Sequence, residues 1–99
     1  MSEPNVEVTK SLIAKYLELT RSARDKATPV HEEGSAESKR LSIMMEMADA
    51  YASDAEWFAE KGDLVRSFGA INYAHAWIDC AVKIGLLDGH GDDEKFTLP

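Results

Sequence analysis

Apolar positions along this chain recur at steps of three and four without strand-like alternation, and this spacing predicts amphipathic helices. The first helix is predicted over residues 6–27, the second over 36–61 and the third over 64–84. Thr28 and Pro29 end the first helix, because proline disfavours a helical conformation at the residue before it. The pattern therefore predicts an all-α fold, an up-down-up three-helix bundle.

Polar residues and glycines at the helix boundaries predict where each helix begins and ends. Asn5 is the predicted N-cap of the first helix and Ser35 that of the second. Gly62 supplies a left-handed stop and Asp63 the next N-cap, so the second and third helices are joined by a very short link. Two long helices joined in this way must run antiparallel as a helical hairpin. Gly85 ends the third helix.

The end of the chain differs in composition from the helical part. Residues 88–99 hold four acids against one lysine and show no apolar repeat. We therefore predict a disordered, flexible acidic tail, with residues 1–87 as a single domain.

Charge and composition exclude several classes of function. A net charge of −7 argues against nucleic acid and against an anionic membrane surface as ligands. No apolar run approaches the roughly 20 residues that span a bilayer, and the polar N-terminus does not resemble a signal peptide. Cys80 is the single cysteine, which leaves no intramolecular disulfide and suits a cytoplasmic protein.

The third helix has apolar residues over about half of its circumference or more, which is wider than one packing contact requires. We expect this helix to lie between the other two or to contribute to a dimer interface. Its apolar positions are Leu64, Phe68, Ile71, Ile78 and Val82 in one stripe, and Ala70, Ala74, Trp77, Ala81 and Ile84 in another.

A polar cluster interrupts this apolar helix. Asn72, His75 and Asp79 fall within about 60° of arc, and His75 and Asp79 are spaced to pair directly. A histidine oriented by a carboxylate is a common general base, with Tyr73 or Cys80 as the nucleophiles nearby. The alternative is a core histidine satisfied by Asp79, with Asn72 contacting a neighbouring helix. The structural alternative is favoured, so no catalytic residue is predicted. The candidate binding cluster is Asn72, Tyr73, His75 and Asp79.

A second group of acids lies opposite the apolar face of the second helix and is predicted to be a solvated surface. Helical bundles that hold two metal ions use a Glu-x-x-His motif, which is absent here. The three histidines, His31, His75 and His90, show no metal-ligand spacing. We predict neither a metal nor another cofactor. This second group, hereafter the acidic stripe, consists of Glu46, Asp49, Ser53, Glu56 and Glu60.

Trp57 falls about 160° around the second helix from Leu41, on its polar side. An exposed tryptophan is a frequent anchor of protein interfaces. The favoured interpretation, however, is that Trp57 packs beneath the first loop or the tail. Together with Trp77 it is a candidate interface residue, and the partner would be another protein or a second copy of the chain.

Several segments resemble the small archaeal family called domain of unknown function 357. They are Tyr51–Phe58, the Glu60–Asp63 corner, Phe68–Asp79 and Gly85–Leu87. The resemblance is good over about residues 41–87 and looser in the first helix. It implies a short, helical, archaeal and cytoplasmic protein, and it implies no activity. The polar or special residues within the matching segments are Asp54, Gly62, Asp63, Asn72, Tyr73, His75 and Asp79.

The sequence thus favours a non-enzymatic protein-interaction module or a subunit of a larger complex. The alternative is a small-molecule binding protein or a minor enzyme that uses the polar cluster on the third helix.

Overall fold

A computed structural model describes residues 3–92 and 95–96, and three α-helices make up most of it. Helix α1 spans Lys10–Lys26, α2 spans Ala36–Glu60 and α3 spans Leu64–Lys83. The predicted all-α, three-helix fold is confirmed.

The start of α1 corrects the sequence prediction. The helix begins at Lys10, because the Thr9 hydroxyl accepts a hydrogen bond from the backbone N–H of Leu12 at 3.2 Å. Thr9 has an extended backbone and therefore acts as the N-cap, so the prediction of Asn5 in that role was wrong. Val6 is almost fully exposed, so the residues before Thr9 have little apolar contact to hold them in another helical turn.

The N-caps of α2 and α3, and the corner between these helices, are built as predicted. Ser35 caps α2 by accepting from the N–H of Ser38, and Asp63 caps α3 by accepting from the N–H of Arg66. Gly62 has a φ of +79°, in the left-handed region that favours glycine. The tight corner therefore forces α2 and α3 to pack antiparallel along their length.

Helix α3 contacts both other helices, as its broad apolar surface predicts. It packs most extensively against α2 and less against α1, while α1 and α2 touch in few places. Two groups of buried residues form the core. The main cluster is Ala23, Ala27, Leu41, Met45, Ala48, Ile78, Ala81, Val82, Leu86, Leu87 and Phe96, and the second cluster is Ile13, Ala55, Ala70 and Ile71.

Two short strands join the ends of the bundle. Strand β1 spans Thr28–Pro29 and pairs antiparallel with β2, which spans Leu87–Asp88. The N–H of Val30 extends the pairing by donating to the carbonyl of Leu86 at 3.1 Å. The loop after α1 is thereby attached to the segment after α3.

Part of the predicted tail contacts the bundle. Phe96 is only 1% exposed and belongs to the main cluster. Burial of an aromatic side chain removes a large apolar area from water, which stabilises this attachment. Residues 93–94 and 97–99 of the predicted tail lie outside the described residues, and the flexibility of the tail stays a prediction.

Candidate functional site

His75 is the chemically most versatile residue of the predicted cluster, and both of its ring nitrogens are engaged. Nδ1 lies 3.0 Å from the Thr20 hydroxyl on α1, and Nε2 lies 2.6 Å from the carbonyl oxygen of Lys95. A carbonyl oxygen only accepts, so Nε2 carries a hydrogen and donates it. In the neutral ring Nδ1 then accepts from Thr20. His75 therefore connects α1, α3 and the C-terminal segment.

Asp79 lies beside the same ring, as the spacing of four residues predicts. Its Oδ1 atom is 3.6 Å from Nε2 of His75, and both side chains are largely buried. At that distance the carboxylate contributes a charge to the surroundings of the ring rather than a short hydrogen bond. His75 and Asp79 are thus brought together, with Thr20 and Lys95 as partners that the sequence did not suggest.

The other two members of the predicted cluster are placed differently. Asn72 is exposed, and Tyr73 is exposed while its ring stacks on Tyr51 with 5.1 Å between the ring centroids. Both residues therefore belong to the outward surface of α3 and do not share the half-buried site of His75. The predicted cluster is thus divided: His75 and Asp79 lie inside the bundle, whereas Asn72 and Tyr73 lie at its surface.

The acidic stripe of α2 has partners on α1. The guanidinium of Arg24 donates to both carboxylate oxygens of Asp49, at 3.1 and 3.4 Å, and Arg21 pairs with Glu56. These groups are substantially exposed, so each pair contributes little to stability by itself. Their effect is to bridge the two helices that otherwise touch in few places.

A small cavity of about 200 Å³ opens between α1 and α2. Its apolar wall includes Ala48, Ala52 and Ile78, and the Arg24–Asp49 pair lies at its edge. Ligand pockets for small molecules commonly measure roughly 300–1,000 Å³. His75 does not line this cavity, so the histidine and the cavity do not form one site.

The C-terminal segment includes an acid, Asp92, that is paired with two lysines. Asp92 accepts from the ammonium of Lys26 at 2.9 Å and from that of Lys95 at 3.1 Å. These two cations, Lys26 first, hold the pKa of the Asp92 carboxyl well below its usual range. Asp92 is structural, because its ion pair with Lys26 attaches the C-terminal segment to α1.

Several large apolar side chains of α2 and α3 face solvent. Trp57 is 56% exposed, so the favoured prediction that it packs beneath the first loop or the tail was wrong, whereas Trp77 is half-buried against the main cluster. Val65 and Tyr73 are exposed at 74% and 62% on α3. The α2–α3 hairpin therefore presents apolar surface that the bundle itself does not use.

The described part of the chain contains no candidate metal site and no candidate membrane-spanning helix. Among residues 3–92 and 95–96, no three His, Cys, Asp or Glu side chains are grouped so that they could hold a metal ion. Across the same residues, no helix combines the length and the apolar character needed to cross a bilayer.

Comparison with known proteins places the chain in a family. No curated protein and no solved structure matches it. Residues 15–87, which include all of α2 and α3 and most of α1, match the profile of a family described as "Protein of unknown function (DUF357)". Because this match covers well over half of its length, the chain belongs to the DUF357 family.

Proposed function

We propose that this protein is a non-enzymatic interaction module, which binds a protein partner through the exposed apolar surface of its α2–α3 hairpin. The observation that supports this function is the contrast between the two kinds of residue on the hairpin. His75 is bonded through both ring nitrogens within the protein. Trp57 and Tyr73, by comparison, face solvent.

Trp57 is suited to anchor a partner because neighbouring side chains hold it. Its indole makes an edge contact with the ring of Phe58, at 5.5 Å between centroids, and the ammonium of Lys61 lies 5.4 Å from its centroid. A side chain held in this way loses less conformational entropy on binding. Tryptophan is also among the residues that most often dominate binding energy at interfaces.

The chemistry of the partner follows from charge. The net charge of −7 opposes contact with phosphate backbones, so we propose a protein and neither nucleic acid nor a membrane. A cytoplasmic location and an archaeal source are part of the same proposal.

Co-purification with matched variants tests the proposal. Tagged wild-type protein, Trp57→Ala and Val6→Ala are purified from native lysate of the source cells, and the bound proteins are identified by mass spectrometry. Val6 is exposed but lies before α1, away from the hairpin. We expect a stoichiometric partner that Val6→Ala retains and Trp57→Ala loses. A partner retained equally by all three chains would place the interaction elsewhere, and the proposed role of Trp57 would be wrong.

The alternative is a small-molecule site that uses His75. His75→Leu discriminates between the two, because leucine can neither donate to the Lys95 carbonyl nor accept from Thr20. A structural histidine predicts a change in stability of about 1–3 kcal/mol in either direction, with partner binding retained. Loss of a ligand found by thermal-shift screening, with stability unchanged, would favour the alternative.

A further inference from the structure

A hydroxyl, an imidazole and a carboxylate lie together beside the β1–β2 pairing, outside the cluster around His75. The Thr28 hydroxyl lies 2.9 Å from Nε2 of His90, and Nδ1 of the same ring lies 3.7 Å from Oδ2 of Asp88. Each ring nitrogen thus faces one of the two other groups. A hydroxyl within hydrogen-bond reach of a base, with a third group beside that base, is an arrangement that activates a weak nucleophile.

The pairing of β1 with β2 brings these side chains together from distant parts of the chain. Thr28 lies directly across from Asp88 in antiparallel register, so their side chains project from the same face of the two strands. The backbone N–H of His90 donates to Oδ1 of Asp88 at 2.8 Å. Among the residues that the structure describes, His90 is the single non-glycine residue with a positive φ, +57°. The strand register and this turn together place the imidazole beside Thr28.

The carboxylate determines which nitrogen of the ring can accept a proton. A carboxylate oxygen only accepts hydrogen bonds, so the neutral ring is favoured with its hydrogen on Nδ1, toward Asp88. Nε2 then accepts from the Thr28 hydroxyl. At 3.7 Å the carboxylate acts on the ring through its charge rather than through a short hydrogen bond. His90 is therefore the base at this site, and Asp88 is a positioning residue.

All three groups are open to solvent. Thr28 is exposed, and the side chains of His90 and Asp88 are 42% and 57% exposed. The chemically similar Thr20–His75 pair differs, because Thr20 is only 4% exposed. A reagent can therefore reach the Thr28 hydroxyl without any movement of the bundle.

The charge around the site selects the class of reagent. Asp88 and the net charge of −7 repel phosphate groups, which disfavours a phosphoryl donor. Lys26, two residues before Thr28, is already paired with Asp92 at 2.9 Å. The carbonyl group of an ester or thioester is neutral and meets no such repulsion.

We infer that Thr28 is an acylation site, at which its hydroxyl takes an acyl group from an activated ester or thioester with His90 as general base. Oγ1 of Thr28 forms a bond to the carbonyl carbon of the donor, and the bond from that carbon to the leaving oxygen or sulfur breaks. The hydroxyl proton passes to Nε2 of His90, and the leaving group departs with the electron pair of the broken bond. The product is an ester of Thr28. This reaction is independent of the proposed interaction function of the α2–α3 hairpin.

Acetylation by p-nitrophenyl acetate tests the site. The full chain is incubated with this ester, and peptide mapping by mass spectrometry gives the rate at which each hydroxyl gains an acetyl group. Thr9, an exposed threonine whose hydroxyl accepts from the backbone N–H of Leu12, is the reference within the same molecule. We expect Thr28 to be acetylated faster than Thr9. Equal rates at the two threonines would overturn the proposal.

Replacement of His90 tests the base. Asparagine tolerates the left-handed backbone of this position, so His90→Asn removes the imidazole without straining the turn. We expect acetylation of Thr28 to slow by roughly 100-fold, the low end of what a positioned general base contributes. His31→Asn, at another exposed histidine, is the matched control and should leave this rate unchanged, and Thr28→Ser should retain acetylation at position 28. The same rate in His90→Asn and wild type would overturn the proposal.

Replacement of Asp88 tests the positioning role. Asp88→Asn keeps an oxygen that can accept from the N–H of His90 but removes the charge. We expect the hydrogen of the neutral ring to shift from Nδ1 toward Nε2, measured by nitrogen NMR of the imidazole, and acetylation of Thr28 to slow. A slower rate without a change of tautomer would show that Asp88 does not act through the ring of His90, and its assigned role would be wrong.

Discussion

The hydroxyl of Thr20 and Nδ1 of His75 lie 3.0 Å apart, and this hydrogen bond joins α1 to α3 within the bundle. Thr20 is 4% exposed, so this hydrogen bond is shielded from bulk solvent. The bond explains why a histidine is accommodated on the mostly apolar surface of α3: each ring nitrogen has a partner in the protein.

Replacing Thr20 by valine should destabilise the fold, because Nδ1 of His75 then loses its donor while keeping its half-buried position. We expect the free energy of unfolding to fall by about 1–3 kcal/mol, measured by urea denaturation. Thr20→Ser retains the hydroxyl and serves as the control, with a smaller loss. Equal stability of Thr20→Val and wild type would mean that this hydrogen bond does not stabilise the bundle.

Two glycine-to-alanine substitutions should have opposite effects. A Cβ added at Gly89 would lie 2.9 Å from Cδ2 of the buried Phe96 ring, so Gly89→Ala should lower the free energy of unfolding by about 1–3 kcal/mol. Gly69 lies within α3 with open space around it, and Gly69→Ala should stabilise the monomer by about 0.5–1 kcal/mol. Thermal denaturation at low protein concentration measures both changes. Destabilisation of equal size in both variants would contradict the specific role of the Phe96 contact.

The ion pairs of Asp92 should make stability depend on pH in the acid range. Because Lys26 and Lys95 lower the pKa of Asp92 in the folded protein, its carboxylate stabilises the fold above the unfolded pKa, which is about 3.9. This contribution is lost as the pH falls from there through the folded pKa. At neutral pH, Asp92→Asn should therefore have a lower free energy of unfolding than wild type. This difference in free energy should shrink in strong acid.

Titration of the Asp92 carboxyl by NMR tests the cause directly. Lys26→Gln removes the larger of the two lowering interactions, so the pKa of Asp92 should rise toward its usual range in this variant. An unchanged pKa would show that the Lys26–Asp92 ion pair does not form in solution.

Ser67 joins α3 to α2 by a buried hydrogen bond. Its hydroxyl donates to the carbonyl oxygen of Ala55 at 2.7 Å, and both residues are completely buried. Ser67→Ala should lower the free energy of unfolding by about 1 kcal/mol, since the lost hydrogen bond joins two neutral groups. Ser67→Leu should cost more, because the extra atoms must push the two helices apart. Urea denaturation of the two variants measures this order, and a more stable Ser67→Leu would contradict the tight packing.

Local features were predictable from the sequence. Ser35, Gly62 and Asp63 act through hydrogen bonds and backbone conformations that involve residues only a few positions away, and the structure confirms all three. The prediction of Asn5 as the N-cap was wrong, because Thr9 offers a competing cap nearer to the apolar residues of α1. Composition could not rank these two caps, since both residue types are common in that position.

Contacts between residues distant in the sequence were not predictable. The partners of His75 are Thr20 and the Lys95 carbonyl, which are separated from it by 55 and 20 positions. Neither residue type indicates such a pairing in the sequence. Phe96 did carry a signal: it is the single Phe, Tyr or Trp in the mostly polar segment 88–99. A lone aromatic in such a place is favoured to bury its ring if the chain can reach the core.

The pairing of Thr28 with Asp88 also has a consequence for the order of folding. It closes a loop that contains α2 and α3 entirely, so the entropy of loop closure is lower once the hairpin has shortened the intervening chain. The hairpin should form early from local contacts, and α1 and the C-terminal segment should dock late. Substitutions in the β1–β2 pairing should then accelerate unfolding and leave the folding rate nearly unchanged.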